Sequence, residues 1–237
     1  MAEGGKLLAA THRLMASALE PGMTTWDLDH IAEEYITSQG AKAAFKGLYG
    51  FPGSVCISVN EEIVHGIPSK KRVLHEGDIV TLDFGVQHEG MYTDAAVTLP
   101  VGEVDPETER LLEVTKASLD AGIAAAQPGN HLGDIGAAVQ RVVEGAGFSV
   151  VRDLVGHGVG NSLHEDPQVP NYGKPKRGLK LVPGLTLAIE PMVNIGGPAT
   201  RTLSDKWTIV TVDGSRSAHF EHTVAITESG NRVLTAA

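Results

Sequence analysis

Cysteine is nearly absent from this chain: Cys56 stands alone among 237 residues. A single thiol excludes an internal disulfide and fits a reducing compartment. Long apolar runs are missing as well; none reaches the roughly 20 residues that a membrane-spanning helix needs. The first residues carry Glu3, Lys6, His12 and Arg13, too early and too evenly for a secretory leader. Basic charge is scarce, 19 Lys and Arg against 29 Asp and Glu, giving a formal net charge of −10. That balance removes the basic footprint of a nucleic-acid binder. Lys70-Lys71-Arg72 and the stretch from Lys174 to Lys180 read as solvated loops. Hydrophobic content, at 42%, is ordinary. The expectation is a soluble cytosolic protein with length enough for one large core.

What is present begins with a hairpin. Apolar and β-branched residues run from Ile79 to Val86 and again from Met91 to Leu99, with His88-Glu89-Gly90 as turn material. Each arm carries a carboxylate, Asp83 and Asp94, although Asp is disfavoured in strands and like charges across a ladder repel.

The chain also repeats itself. The segment from Glu20, "EPGMTTWDLDHIAEEYITSQGA", resembles the one from Gln127, "QPGNHLGDIGAAVQRVVEGAGF", at an offset of 107. Each reads as a turn, an amphipathic helix and a glycine stop. Before each lies another helix-periodic stretch, about Lys6 to Leu19 and about Glu107 to Ala126. The same offset carries Gly77 to Gly184 and Asp83 to Glu190. The pattern predicts a single domain of two pseudo-symmetric halves, about 1–105 and 106–237. It is of α+β class, with antiparallel sheet inside and helices outside.

Further along, "DLVGHGVGNSLHEDP", "TLAIEPM" and "AHFEHTVAIT" add His157, Glu190 at a strand end, and Glu221 inside a strand-like run from Ala218 to Thr227. Two close, buried carboxylates share a proton, recruit Arg or Lys, or bind metal. The surrounding strands carry no basic residue, and a proton-sharing dyad needs no further carboxylates and histidines. Asp83, Asp94, His157, Glu190 and Glu221 together are too anionic for one structural zinc. Four negative charges match two divalent ions, held about 3.5–4 Å apart in two-metal sites. Taken singly, a strand Asp such as Asp94 reads more readily as an edge or surface residue, His157 as a capped or solvated histidine, and Glu190 and Glu221 as edge-strand charges.

These residues and their neighbours resemble the bacterial-type (type I) methionine aminopeptidases of the pita-bread fold. The resemblance rests on "SVCISVNEEIVHGIP", "GDIVTLDFG", "YTDAAVT", "VGHGVGNSLHEDPQVPNYG", "GLTLAIEPMVN" and "FEHTVAIT". It implies that Asp83, Asp94, His157, Glu190 and Glu221 hold two divalent metal ions, with Asp94 and Glu221 bridging. It leaves cobalt, manganese, iron and zinc undistinguished. His65 matches the family histidine near the leaving amine, and His164 the one that meets the substrate carbonyl. Glu190 is implied as proton shuttle while a metal-bridged hydroxide attacks the first peptide bond. The side-chain pocket maps to Leu48, Phe51, Cys56, Leu163 and Trp207, where the family usually has two tyrosines and a phenylalanine in place of Leu48, Phe51 and Leu163. Only 26 positions separate His164 from Glu190, without room for the helical insertion of the type II branch.

The implied partners are N-termini of nascent polypeptides or peptides, with transient ribosome contact. No stable nucleic acid, no membrane and a monomeric state are expected. Alternatives are an X-Pro peptidase of the same fold and an inactive binding module. Alternation puts His219 on the face of Glu221, where it reads more readily as a core or edge-strand histidine than as a partner of the cluster.

Overall fold

Four α-helices and several antiparallel sheets build residues 1–236, the part of the chain that the computed structural model describes. The helices are α1 (Ala2–Ala18), α2 (Thr25–Ser38), α3 (Pro106–Ala125) and α4 (Leu132–Gly145). At α2 the Asp27 N–H donates to Thr24 Oγ1, while the Asp27 carboxylate accepts the Thr24 N–H at 2.8 Å, forming a capping box. At α4 the carboxylate of Asp134 accepts the His131 N–H at 2.8 Å, repeating the second half of that exchange. Asp105 caps α3 by accepting the Thr108 N–H, with Pro106 at the first helical position.

The first helix starts at Ala2, earlier than the periodicity suggests, even though Gly4 and Gly5 are poor helix formers. Packing decides the matter. A Cβ on Gly5 would sit 2.0 Å from the Leu234 carbonyl oxygen, so the helix backbone rests directly on the segment after the strand Gly230–Val233.

Shifted by 107, the bounds of α2 become those of α4, and the strand Lys42–Ala43 becomes Ser149–Val150. The isolated bridge from Thr24 to Val73 recurs as His131 to Lys180 under the same shift. Gly22, Gly40 and Gly77 hold positive φ, and so do their counterparts Gly129, Gly147 and Gly184.

In the first sheet, Ile79–His88 pairs with Met91–Pro100, Lys42–Ala43 and Cys56–Val59. Glu89 and Gly90 close the hairpin with φ of 50° and 79°, the tight two-residue turn that matches strand twist. The second sheet runs Gly230–Val233, His222–Thr227, Thr186–Ile189, Gly156–Gly158 and Glu165–Val169. The strand carrying Asp83 and the one leading to Glu190 are therefore both interior strands. Helices cover one face of each sheet. Leu8, Met15, Leu28 and Ile36 pack on Leu82 and Phe84; Leu119 and Ile135 pack with Leu187, Ile189 and Val224. The two sheets meet where Thr223 Oγ1 donates to the Asp94 carbonyl at 2.7 Å and accepts the Asp94 N–H at 2.9 Å. No helix among the described residues is long and apolar enough to cross a membrane.

Candidate metal centre

The hairpin register shows how two carboxylates are tolerated on neighbouring strands. Asp83 pairs with Ala96 and Asp94 with Gly85, so the acids sit diagonally, each facing a small residue. Direct opposition would hold the two Cβ atoms roughly 5 Å apart. The diagonal keeps both side chains on one face and relaxes that approach.

Glu190 follows immediately on the strand Thr186–Ile189. Glu221 does not lie within a strand, contrary to the run expected from Ala218 to Thr227. It occupies a break between Ser217–His219 and His222–Thr227, which belong to different sheets. The neighbouring chain breaks at the same level: Ile189 pairs with His222, and Met192 with His219. Pro191 has no N–H to continue the ladder. The Glu221 N–H leaves it too, donating to the Ala96 carbonyl at 2.9 Å. This bend delivers a carboxylate from the second half to the hairpin of the first.

Asp83, Asp94 and Glu221 each offer an oxygen within 4.8 Å of the others'. His157, Glu190 and Glu221 form a second such group, and Asp94, His157 and His164 a third. His157 Nδ1–H donates to the Gly158 carbonyl at 2.8 Å. That hydrogen bond fixes the tautomer and leaves Nε2 as a lone pair, 3.5 Å from Glu190 Oε1 and 3.9 Å from Asp94 Oδ2. Burial lowers the His157 pKa to about 4, so the ring is neutral.

Charges of one sign are thus concentrated without compensation. No Lys or Arg lines the cavity of about 560 Å³ that contains the cluster. Burial first, then neighbouring carboxylates, pushes Asp83, Glu190 and Glu221 well above the usual carboxyl range. Burial raises Asp94 to about 7. Asp94 Oδ1 and Glu221 Oε1 are buried with no hydrogen-bond partner. Buried acceptors and an imidazole lone pair facing one another need a cation between them. Carboxylate oxygens with one nitrogen suit divalent ions of the manganese, iron, cobalt and zinc kind.

Beside the acidic cavity lies an apolar one of about 210 Å³, lined by Phe45, Leu48, Tyr49, Phe51, Cys56, His65, His164 and Trp207. Phe51 and Trp207 meet edge to face at 5.2 Å. Leu163, expected on this wall, instead turns into the core, against Gly85 of the hairpin. Phe45 and Tyr49 were not picked out from the sequence; their nearness to the "SVCIS" stretch was the available signal. Tyr49 is 80% exposed and stacks over His164 at 6.5 Å. His65, His164 and Phe45 line both cavities and so mark the passage between them. His65 holds φ at 61°, a left-handed backbone uncommon outside glycine, immediately after the strand Glu62–Val64. Truncating Phe51 to Ala widens the apolar cavity. The expected result is a 10- to 100-fold loss in kcat/KM for Met-Ala-Ser, carried mainly by KM, in steady-state assays.

Paired antiparallel sheets under helices, with an acidic cluster at their junction and an apolar recess beside it, define a pita-bread metallopeptidase. The chain matches the model of metallopeptidase family M24 over residues 1–228. It is 53% identical to methionine aminopeptidase 1 of Bacillus subtilis over 99% of this chain and 94% of that protein. Its structure superposes on methionine aminopeptidase from Thermotoga maritima with a TM-score of 0.98 at 49% identity, covering 100% of this chain and 95% of the other. Prolidase from Pyrococcus furiosus shares the fold, with a TM-score of 0.79 at 20% identity over 100% of this chain and 62% of that one. The chain belongs to metallopeptidase family M24 and, within it, to the methionine aminopeptidases.

Proposed function

We propose that this chain removes the N-terminal methionine from peptides and proteins by hydrolysis of the first peptide bond, with two divalent ions held by Asp83, Asp94, His157, Glu190 and Glu221. The carrying observation is the convergence of Asp83, Asp94 and Glu221 oxygens within 4.8 Å in a cavity without a cationic side chain. Asp94, Glu221 and His157 each belong to two of the three ligand groups; of these only the two carboxylates have a second oxygen to offer, which favours Asp94 and Glu221 as bridges between the ions. Bound divalent ions would supply Lewis acidity and a water that ionises near neutrality.

The rest is performed by the protein. The apolar recess takes the thioether side chain, which packs well on aromatic and aliphatic walls. Because His65 and His164 line both cavities, the scissile main-chain carbonyl of a residue whose side chain is seated in the recess falls beside the carboxylates. The acidic cluster attracts the free α-amino group, restricting the reaction to the first residue. Partial desolvation at the cavity lowers the His164 pKa and favours the neutral imidazole, whose N–H is available to the carbonyl oxygen as that oxygen gains charge. The Glu190 carboxylate takes a proton from the attacking water and returns it to the departing amine nitrogen. His65 stands where that amine leaves.

The deciding assay compares methionine release from Met-Ala-Ser with release of X from X-Pro peptides, using chain loaded with cobalt, manganese, iron or zinc. Preferential X-Pro cleavage would turn the reading to a prolidase-like peptidase; no release from either would leave an inactive module. His164→Ala is expected to lower kcat by about 10²- to 10³-fold, as loss of one preorganised donor does elsewhere. Bound metal per chain, read by plasma mass spectrometry, should stay unchanged; a parallel loss of metal would make His164 a ligand instead.

The reading extends to nascent polypeptides met in the cytoplasm during transient ribosome contact. In it, a monomeric single domain has halves at about 1–105 and 106–237. The lone buried Cys56 supports a reducing compartment. Sedimentation alone and with ribosomes tests oligomeric state and contact.

A further inference from the structure

Among the described residues, one buried imidazole outside the ligand set has both ring nitrogens without a partner. His219 is 1% exposed, and neither ring nitrogen makes a hydrogen bond. Buried polar atoms left in this state call for an explanation, since almost all find partners. The ring cannot easily move. The His219 N–H donates to Thr98 Oγ1 at 2.8 Å, and the Thr98 hydroxyl lies 2.8 Å from both the His219 carbonyl and Thr81 Oγ1. Its backbone is thereby pinned to the hairpin of the other half, and Met192 holds it across the ladder.

So fixed, the ring faces Glu190, with Nε2 3.8 Å from Glu190 Oε2. The other oxygen of that carboxylate, Oε1, faces His157 Nε2 at 3.5 Å. The two oxygens are therefore divided: one points into the cluster and one towards His219.

We infer that His219 is a positioning residue for Glu190, its Nε2–H directed at Oε2 so that Oε1 alone is presented to the metal cluster. The inference rests on the ligand reading of Glu190 given above. An imidazole suits the task because Nε2 carries its hydrogen at a fixed angle from a rigid ring. Partners of this kind, behind the metal ligands, typically govern metal affinity or rate by 10- to 100-fold.

The test uses the full chain stripped of metal and titrated with Co²⁺, read by calorimetry and by visible absorption. His219→Leu is expected to weaken Co²⁺ binding about 10-fold and to alter the absorption band. In the same variant kcat should fall about 10- to 100-fold, with KM for Met-Ala-Ser within about twofold. His219→Gln, which restores an N–H donor, should recover most of each loss. A merely structural histidine would change thermal stability and leave band and affinity alone; that result, with unchanged kcat, overturns the inference. Should His219→Leu fail to fold, nitrogen-15 spectra of the native chain decide: an Nε2–H tautomer supports the assignment and an Nδ1–H tautomer sinks it. Glu190→Gln separates the two levels. If it leaves Co²⁺ binding and turnover intact, the ligand reading has failed; if it abolishes both while His219→Leu moves neither, only this inference has.

Discussion

Asp94→Asn is expected to abolish turnover while making the metal-free protein more stable. Asp94 stands in two of the three ligand groups, so the amide removes a negative donor that both ends of the cluster use. Without it the ions that ionise water near neutrality are lost or misplaced. A fall of at least about 10³-fold in kcat/KM for Met-Ala-Ser, about 4 kcal/mol, is the result to look for. Stability moves the other way. The carboxylate is 2% exposed, has Asp83, Glu190 and Glu221 for company, and leaves Oδ1 without a partner. Replacing one of four crowded carboxyls by a neutral amide relieves the metal-free fold, as functional sites often cost stability. Calorimetry in chelator at pH 8 should show the variant melting above the parent. A variant that keeps its activity, or melts below the parent, would count against the central cation reading.

Metal removal in the unaltered chain should bring a loss of stability that grows with pH. A carboxyl whose folded pKa lies above its unfolded value near 4 holds its proton more tightly when folded. Its contribution is fully present below about pH 4 and is lost as pH rises through the folded pKa. For Asp94 that pKa is about 7, and Asp83, Glu190 and Glu221 are displaced in the same direction. Metal-free protein should therefore lose stability between about pH 4 and 8. Metal binding competes with these protons and so strengthens over the same range. At free metal 100 times the dissociation constant, binding contributes about 2.7 kcal/mol. For a domain of this size that raises Tm by about 5–11 °C. The gap between metal-loaded and chelated protein should be small near pH 5 and widest near pH 8. A gap independent of pH, or chelated protein most stable at pH 8, would falsify the assignment of these carboxylates to a metal site.

Much of this was readable from local pattern. The turn chemistry of Glu89-Gly90 and the N-terminal Asp of α2 and α4 act within a few residues, so they appear in the sequence directly. The 107-residue repeat was legible because the same turn-helix-glycine grammar occurs twice. Other features were not. The early start of α1 depends on Leu234, more than 200 residues away, overriding the poor helix propensity of Gly4 and Gly5. Alternation placed Glu221 inside a strand, because periodicity has no sign for a chain that leaves one sheet for another at Pro191's level. Leu163 looked like pocket wall by position, yet it fills the space over Gly85.

From its residues alone this chain determined which side chains carry negative charge, that helices and strands come in two matching sets, and that no cation is at hand to neutralise the acids. These are statements about composition and near neighbours. Tertiary structure alone decided that Glu221 bends in from the second half and that His219 faces one oxygen of Glu190. The meeting of the two sheets depends on packing between segments more than a hundred residues apart, as Glu221 with Ala96 and Thr223 with Asp94, and no local period encodes that distance.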